Sequence, residues 1–203
     1  EGQSGSRRLE IADGGVFAQK NGSLADSESA ESIEASDYTL RYYPNGGSIT
    51  TSSQEYRTGG AVSTLEFIDG PVSSPSDDNL ELHADREVGA LTVNRSGAST
   101  LDLKSSSNGD ETEKPLTVTG GSDLAAGTVN NGTLQTEGDV TVDGGDIGGS
   151  ATLSFAGSGD QSLSLSGDET LGTVALNQTT PDGEAVPSAT VSGGGLEGDA
   201  TFN

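Results

Sequence analysis

Three sixteen-residue stretches of this chain align without a gap, and they constrain the fold more than any other feature. They are NLELHADREVGALTVN (79–94), PLTVTGGSDLAAGTVN (115–130) and SLSLSGDETLGTVALN (162–177). Apolar residues recur at the second, fourth, tenth and fifteenth positions, and an Asn ends each copy. Two weaker copies, 139–154 and 188–203, keep part of the pattern. Apolar positions that repeat in this way predict stacked structural units.

The spacing and the local patterns indicate what those units are. The copies lie about 24 residues apart, once the polar insertion KSSSNGDETEK (104–114) is set aside. Alternation such as Leu-x-Leu is typical of short strands, and Gly, Asp and Ser clusters such as DGGD (143–146) are typical of turns. We therefore expect an all-β fold with β-solenoid (parallel β-helix-like) repeats, in which each thin coil buries its apolar residues against its neighbours. The alternative is a β-sandwich of short antiparallel strands.

The N-terminal third differs from the repeats and predicts three parts. Residues 1–70 are expected to form a small N-terminal β subdomain with a flexible arm, residues 71–78 a linker, and residues 79–203 the solenoid. Within the first part, SDYTLRYYPNGGSITT (36–51) predicts two strands around a Pro-Asn-Gly-Gly turn, and LEIADGGVF (9–17) predicts another strand pair.

The charge of the chain is strongly acidic and unevenly distributed. There are 32 Asp and Glu against 9 Lys and Arg, and no Lys, Arg or His follows Lys114. Phosphate binding requires clusters of Lys or Arg, so we expect no nucleic-acid partner. No apolar run is long enough to span a bilayer, so we expect no direct membrane insertion by this chain.

Residues that could perform catalysis are scarce, and we expect a protein that is not an enzyme. His83 is the one histidine, and the corresponding positions of the other copies are polar, which predicts a solvent-facing side chain. The carboxylate pairs are Asp77/Asp78, Asp143/Asp146 and Asp168/Glu169. Each falls in a predicted turn, which favours a solvated surface over glycan cleavage.

The DGGD turn resembles the Gly-rich Asp turns that bind Ca²⁺ in β-rolls, where oxygen atoms supply the ligands. Asp143 and Asp146 are therefore candidate metal ligands. The alternative is diffuse binding of monovalent cations by the acidic surface.

Four Asn-x-Ser/Thr sequons are candidate glycosylation sites, at Asn21, Asn94, Asn131 and Asn177. The Asn that ends each copy also predicts a ladder of stacked amides at one corner of the fold. Because Asn94 and Asn177 belong to that ladder, Asn21 and Asn131 are the better expected acceptors.

Abundant carboxylate, little lysine and few large hydrophobic residues resemble the secreted surface proteins of salt-loving archaea. The segment LRYYPNGGSITTSSQEYRTGGAV (40–62) resembles haloarchaeal pilin-like surface proteins. EGDVTVDGGDI (137–147) resembles β-solenoid adhesins and bactofilin-like proteins. These resemblances imply an extracellular, cell-surface structural protein of a halophile, a subunit of a filament, pilus or coat. The alternatives are a carbohydrate-binding or adhesin domain and a viral capsid or fibre component.

Assembly of such a subunit is expected to run through its terminal strands. The N-terminal segment carries the one adjacent pair of arginines, Arg7 and Arg8, followed by short apolar stretches at Leu9 and Ile11 and at Val16 and Phe17. A positive arm suits an acidic neighbour, and an apolar strand can complete an exposed sheet edge. The expected partner is another copy of the chain or another cell-surface component.

The charge distribution leads to a first prediction, that stability depends on salt. Ion pairs cannot offset carboxylate repulsion within residues 115–203, whereas molar salt shortens the screening length to about 3 Å. We expect the midpoint of thermal unfolding to rise steeply between dilute buffer and molar KCl or NaCl. A midpoint that stays constant across that range would contradict the halophilic interpretation.

Overall fold

A computed structural model describes residues 8–20, 32–34, 37–51, 55, 61–70, 78–105, 112–167, 169–178 and 189–193. These residues contain strands and turns and no helix, which confirms the prediction of an all-β fold. The strands are β1 (Arg8–Glu10), β2 (Gly15–Gln19), β3 (Ser32–Glu34), β4 (Asp37–Tyr42), β5 (Ile49–Thr50), β6 (Ala61–Ile68), β7 (Asn79–Glu81), β8 (Arg86–Asn94), β9 (Thr100–Asp102), β10 (Lys104–Ser105), β11 (Thr112–Glu113), β12 (Leu116–Val118), β13 (Ser122–Asn130), β14 (Thr133–Thr136), β15 (Val140–Val142), β16 (Gly145–Phe155), β17 (Gln161–Leu165), β18 (Leu171–Leu176) and β19 (Ala189–Gly193).

Pairing between these strands is parallel, apart from the small antiparallel pair β10–β11. The strands on either side of the Asn45–Gly47 turn illustrate the consequence. β4 pairs with β2 and β6, whereas β5 pairs with β7. The predicted strands of the N-terminal third therefore exist, but the two strands that flank one turn do not pair with each other: β1 pairs with β3, β2 with β4, and β5 with β7.

Three parallel ladders run through the molecule. The longest joins β2, β4, β6, β8, β13, β15, β17 and β19 in that order. A second joins β5, β7, β9, β13 and β16, and a third joins β8, β12, β14, β16 and β18. Strands β8, β13 and β16 each take part in more than one ladder, so they bend from one to the next.

Registers in the middle of the chain follow a shorter spacing than the aligned copies predict. Leu116 lies opposite Leu134, eighteen residues later, and not opposite Val140. The β12–β14, β13–β15 and β13–β16 pairs join residues eighteen apart, and the β14–β16 pair joins residues nineteen apart, such as Thr133 and Thr152. One predicted register is present, because Val140 lies opposite Leu163.

The ladders close on themselves, and this corrects the finer architectural prediction. β8 pairs with both β12 and β13, and these are joined again through β14 and β16. The structure is a parallel closed barrel of seven strands with further strands added. It is neither the predicted solenoid of five 24-residue coils nor the predicted β-sandwich. The reason is that the separation between residues paired in parallel varies along the chain, from eighteen between Leu116 and Leu134 to thirty-two between Asn94 and Ala126.

The core consists of columns of inward side chains. Each strand of a ladder, called a layer below, contributes one residue to a column. One column contains Tyr42, Phe67, Val93, Leu124, Val142 and Leu165, each opposite the next in register and each buried. Alternate residues face outward, as the burial of β4 shows. Because each strand supplies few inward residues, a chain with 30% hydrophobic residues can still bury a continuous core.

The predicted division at residues 1–70, 71–78 and 79–203 stays a prediction. Residues 71–77 of the expected linker lie outside the described part of the chain. On either side of it, β6 and β8 are paired over six positions, from Val62 with Val88 to Ile68 with Asn94.

Alternation in β17 gives the second prediction. Leu163 and Leu165 are buried in the core columns, and Ser164 between them faces outward with its side chain half-buried. We expect Leu163→Asp or Leu165→Asp to lower the free energy of unfolding by more than about 3 kcal/mol, because each buries an unpaired charge. Ser164→Asp is the matched control and should cost about 1 kcal/mol or less. Urea unfolding at constant molar salt measures all three, and equal losses at 164 and 165 would contradict the assigned strand faces.

Candidate assembly surface

The longest ladder ends at β2, which makes this strand the candidate assembly surface. Within the described residues, β2 pairs with β4 on one side and with no strand on the other. Val16 in β2 is 47% exposed, and among the residues whose side-chain burial the structure describes it is the one exposed large hydrophobic residue. A strand edge offers unpaired N–H and C=O groups to another chain, and an exposed apolar side chain adds area that association would bury.

The structure separates the six residues predicted for assembly. Arg7 lies outside the described residues. Arg8 and Leu9 belong to β1, which pairs in parallel with β3. Ile11 and Phe17 are half-buried and pack against the core of their own subunit. Val16 is the member of the set with an exposed apolar side chain.

The opposite end of the molecule is formed by β18 and β19. In the described chain, β18 pairs with β16 alone and β19 pairs with β17 alone. This end belongs to residues 115–203, which contain twelve Asp or Glu and no basic residue. The β2 end has Lys20 directly after the strand and Arg41 in the adjacent strand β4. The β2 end therefore contains basic side chains, although Asp13, Asp37 and Glu66 lie near the same strands, whereas the opposite end contains none.

A buried ion-pair network holds the corner between the first layers. Arg95 follows β8 and is fully buried, and its Nη2 lies 2.7 Å from Oδ2 of Asp78 and 2.6 Å from the carbonyl oxygen of Pro44. Its Nη1 lies 3.2 Å from Oδ1 of Asp69. Asp78 also accepts hydrogen bonds from the backbone N–H groups of Gly46 and Gly47. The network therefore joins the segments that follow β4, β6 and β8.

This network corrects the expectation for Asp78, which was a solvated surface carboxylate. Asp78 is 2% exposed and paired with Arg95. Its predicted partner in a carboxylate pair, Asp77, lies outside the described residues. Arg95 was not among the predicted site residues. Asp78 lies directly before the repeat copy 79–94 and Arg95 directly after it, and these positions are the signal that could have placed both residues at a shared corner.

The two carboxylates of the DGGD turn accept hydrogen bonds from residues more than twenty positions later in the chain. Asp143 Oδ1 accepts a hydrogen bond from the Ser166 hydroxyl at 2.5 Å, and Asp146 Oδ1 accepts one from the backbone N–H of Thr170 at 2.8 Å. Asp139 accepts one from the N–H of Ser162 in the same way. No group of three or more metal-binding side chains occurs in the described part of the chain, which omits Asp168. Ca²⁺ binding at Asp143 and Asp146 stays a prediction.

Glu169 lies beside this turn and is buried. Burial raises the pKa of its carboxyl group. Hydrogen bonds from the backbone N–H of Gly167, from its own backbone N–H, from the Ser166 hydroxyl and from the backbone of Gly144 outweigh that effect, so the pKa is lowered from its ordinary value. The carboxylate is thus held in its charged form by donors that carry no charge.

His83 is half-buried, and its backbone N–H donates to the Thr51 hydroxyl. It lies in the turn between β7 and β8. The expectation that the protein is not an enzyme stays a prediction.

The Asn residues are arranged differently from the predicted ladder. Asn94 lies opposite Ala126, and Asn130 lies opposite Gly148, so these amides do not stack on one another. Asn94 and Asn177 are exposed, and the Asn177 amide donates to Ser154. Asn131, which was expected to be one of the better glycosylation sites, is half-buried with a positive φ of 54°. Its amide donates to Asp102 and accepts from Ser150.

These contacts favour Asn94 over Asn131 as an expected glycosylation site. The Asn94 side chain is exposed and makes no hydrogen bond to a described residue, whereas both ends of the Asn131 amide are engaged. Asn21 lies outside the described residues. Use of any of the four sequons stays a prediction.

Comparison with protein-family models, with curated proteins and with solved structures finds no match. No helix in the described part of the chain is long and apolar enough to cross a bilayer.

The buried corner gives the third prediction. Arg95→Met leaves the carboxylate of Asp78 buried without its partner, so we expect a loss of about 3–5 kcal/mol in the free energy of unfolding. Arg41→Gln is the matched control, because the Arg41–Glu66 pair is partly exposed and should contribute about 1 kcal/mol or less. Urea unfolding at about 1 M and about 3 M KCl measures both variants, since salt screens a buried pair poorly. A loss for Arg95→Met no larger than that for Arg41→Gln would contradict a stabilising corner.

Proposed function

We propose that this protein is an extracellular structural protein of a halophile, a subunit of a surface filament, pilus or coat that polymerises through its terminal strands. The expected partner is a second copy of the chain, joined head to tail. In this arrangement β2 of one subunit adds to the last strands of the next, and the parallel ladder continues from one subunit to its neighbour.

The single observation that carries the proposal is the edge at β2. The strand is paired on one side within the described residues, and it exposes Val16. Proteins that remain monomeric usually protect such an edge with charged side chains, Pro or a covering segment. In β2 (GVFAQ), no charged residue or Pro is present. The edge is thus suited to accept a strand.

The charge of the two ends supports the polarity of the proposed contact. Lys20 and Arg41 lie near the β2 end, while the β18 and β19 end belongs to a stretch without any basic residue. Basic side chains such as Lys20 can lie against the acidic end, whereas contact between two β18 and β19 ends would bring only acidic side chains together. A contact between two different surfaces does not close a dimer. It produces an open chain of subunits unless the geometry closes a ring.

The acidity supports the halophilic, extracellular part of the proposal. In residues 115–203 the described carboxylates of Asp139, Asp143 and Asp146 accept hydrogen bonds from N–H or O–H groups of the following layer. These contacts engage one oxygen of each carboxylate without neutralising its charge. Screening by salt then lowers the remaining repulsion.

The fourth prediction tests assembly with a matched pair of substitutions. Val16→Asp places a charge on the edge strand, and Thr141→Asp places the same charge on an exposed position of β15, which is paired on both sides. We expect the full chain in molar salt to form filaments or higher oligomers. Val16→Asp should weaken association at least about tenfold, because the charge must be desolvated in the contact. Thr141→Asp should assemble like the unaltered protein.

Sedimentation velocity and electron microscopy measure the assembly, and circular dichroism checks that each variant keeps its β structure. An unaltered chain that stays monomeric in molar salt at high concentration would refute the proposed function. So would a Val16→Asp variant that still assembles, or equal losses for both variants.

A further inference from the structure

A shallow depression lies on the outer face of the sheet, across β2, β4 and the end of β6. Its volume is about 460 Å³, and it is lined by Ala18, Arg41, Tyr43, Ile68, Asp69 and Gly70. That volume is within the range of small-molecule sites in proteins. In register, Ala18 lies opposite Arg41, and Arg41 lies opposite Glu66. The depression is therefore built on three adjacent strands, which hold its side chains at fixed positions.

Tyr43 differs from Tyr38 and Tyr42, the other tyrosines in the part of the chain that the structure describes. Tyr38 and Tyr42 are buried, and both hydroxyl groups donate to Glu55. Tyr43 is half-buried, and its hydroxyl group makes no hydrogen bond to a described residue. Its backbone is fixed because its N–H donates to the carbonyl oxygen of Gln19 at 3.0 Å. An aromatic ring is thus held on the outer face with its polar end available.

Gly70 makes room for this ring. A Cβ atom at Gly70 would lie 2.7 Å from Cδ2 of Tyr43, which is too close for any residue but glycine unless the ring moves. The ring therefore packs against the backbone at Gly70 on one side. This contact determines where Tyr43 lies in the depression.

Charged groups of both signs stand beside the ring. The Nε of Arg41 donates to Oε2 of Glu66, and this hydrogen bond raises the pKa of Arg41. Asp69 Oδ2 accepts a hydrogen bond from the Ser96 hydroxyl, and its Oδ1 faces the buried Arg95. Arg41 and Asp69 are consequently held in place by contacts with the protein.

We propose that this depression binds a neutral pyranose sugar, with the ring of the sugar against Tyr43. The guanidinium group of Arg41 can only donate hydrogen bonds, and the carboxylate of Asp69 can only accept them. A ligand that binds to both groups must therefore both accept and donate hydrogen bonds. Neighbouring sugar hydroxyl groups meet this requirement, while the C–H face of a pyranose covers an aromatic ring. The balance of Arg41 against Glu66 and the net charge of −23 disfavour an anionic sugar. The inference is independent of the proposed assembly.

The experiment measures binding of methyl glucoside, methyl galactoside and methyl mannoside to the full chain in molar salt, by saturation-transfer NMR. Glucuronate serves as the anionic counterpart. We expect millimolar binding of at least one neutral glycoside and weaker binding of glucuronate. Tyr43→Ala should weaken binding by about tenfold or more, and Tyr43→Phe should keep it within about threefold.

Gly70→Ala provides a test that leaves the lining side chains intact. It should also weaken binding, because the new methyl group displaces the Tyr43 ring. Thr141→Ala, on an exposed position of β15, is the control and should bind like the unaltered protein. Absence of binding to all three neutral glycosides would overturn the proposal. So would equal binding by Tyr43→Ala and the unaltered chain, or tighter binding of glucuronate.

Discussion

Parallel main-chain pairing between layers, with one inward side chain per layer in each column, is the constraint on which the rest of the structure depends. Tyr42, Phe67 and Val93 lie directly opposite one another, and the column continues through Leu124 to the later strands. No layer could bury these residues alone, because a single strand offers only one apolar face. Each layer is therefore stabilised by its neighbours, and an end layer has a face that a further subunit could cover.

The acidic character of the chain is accommodated within the same arrangement. Carboxylates at the ends of strands accept hydrogen bonds from the next layer, as Asp143 does from Ser166 and Asp146 from Thr170. Glu169 likewise accepts hydrogen bonds from several neutral donors, and these lower the pKa of its carboxyl group. Basic residues are used sparingly, and the most buried of them, Arg95, joins three segments at a corner in the first half of the chain. Residues 115–203 contain no basic residue, so the stability of this part of the chain should respond most to salt.

The two proposed activities use adjacent parts of the first strands. Assembly uses the main-chain edge of β2, and the exposed Val16 lies on the same face of β2 as Ala18, which lines the sugar site around Tyr43. A surface filament that also binds sugars would place one such site on every subunit, and repeated weak sites gain affinity through multivalency. Tyr43 lies after β4 and outside the edge strand, so Tyr43→Ala should remove sugar binding and leave the main-chain edge of β2 intact.

The sequence by itself determined the all-β class, the positions of many strands and the inward residues of the repeats, because alternation and turn composition are local properties. It also aligned Val140 with Leu163, a register that the structure contains. Tertiary structure decided the pairing of the other strands, since a turn such as Asn45–Gly47 ends β4 without showing that β5 continues on another ladder. It likewise buried Asp78 against Arg95, exposed Asn94 and brought Tyr43 next to Gly70. The physical reason is that these contacts join residues from different layers, whose separation along the chain changes with every turn and insertion.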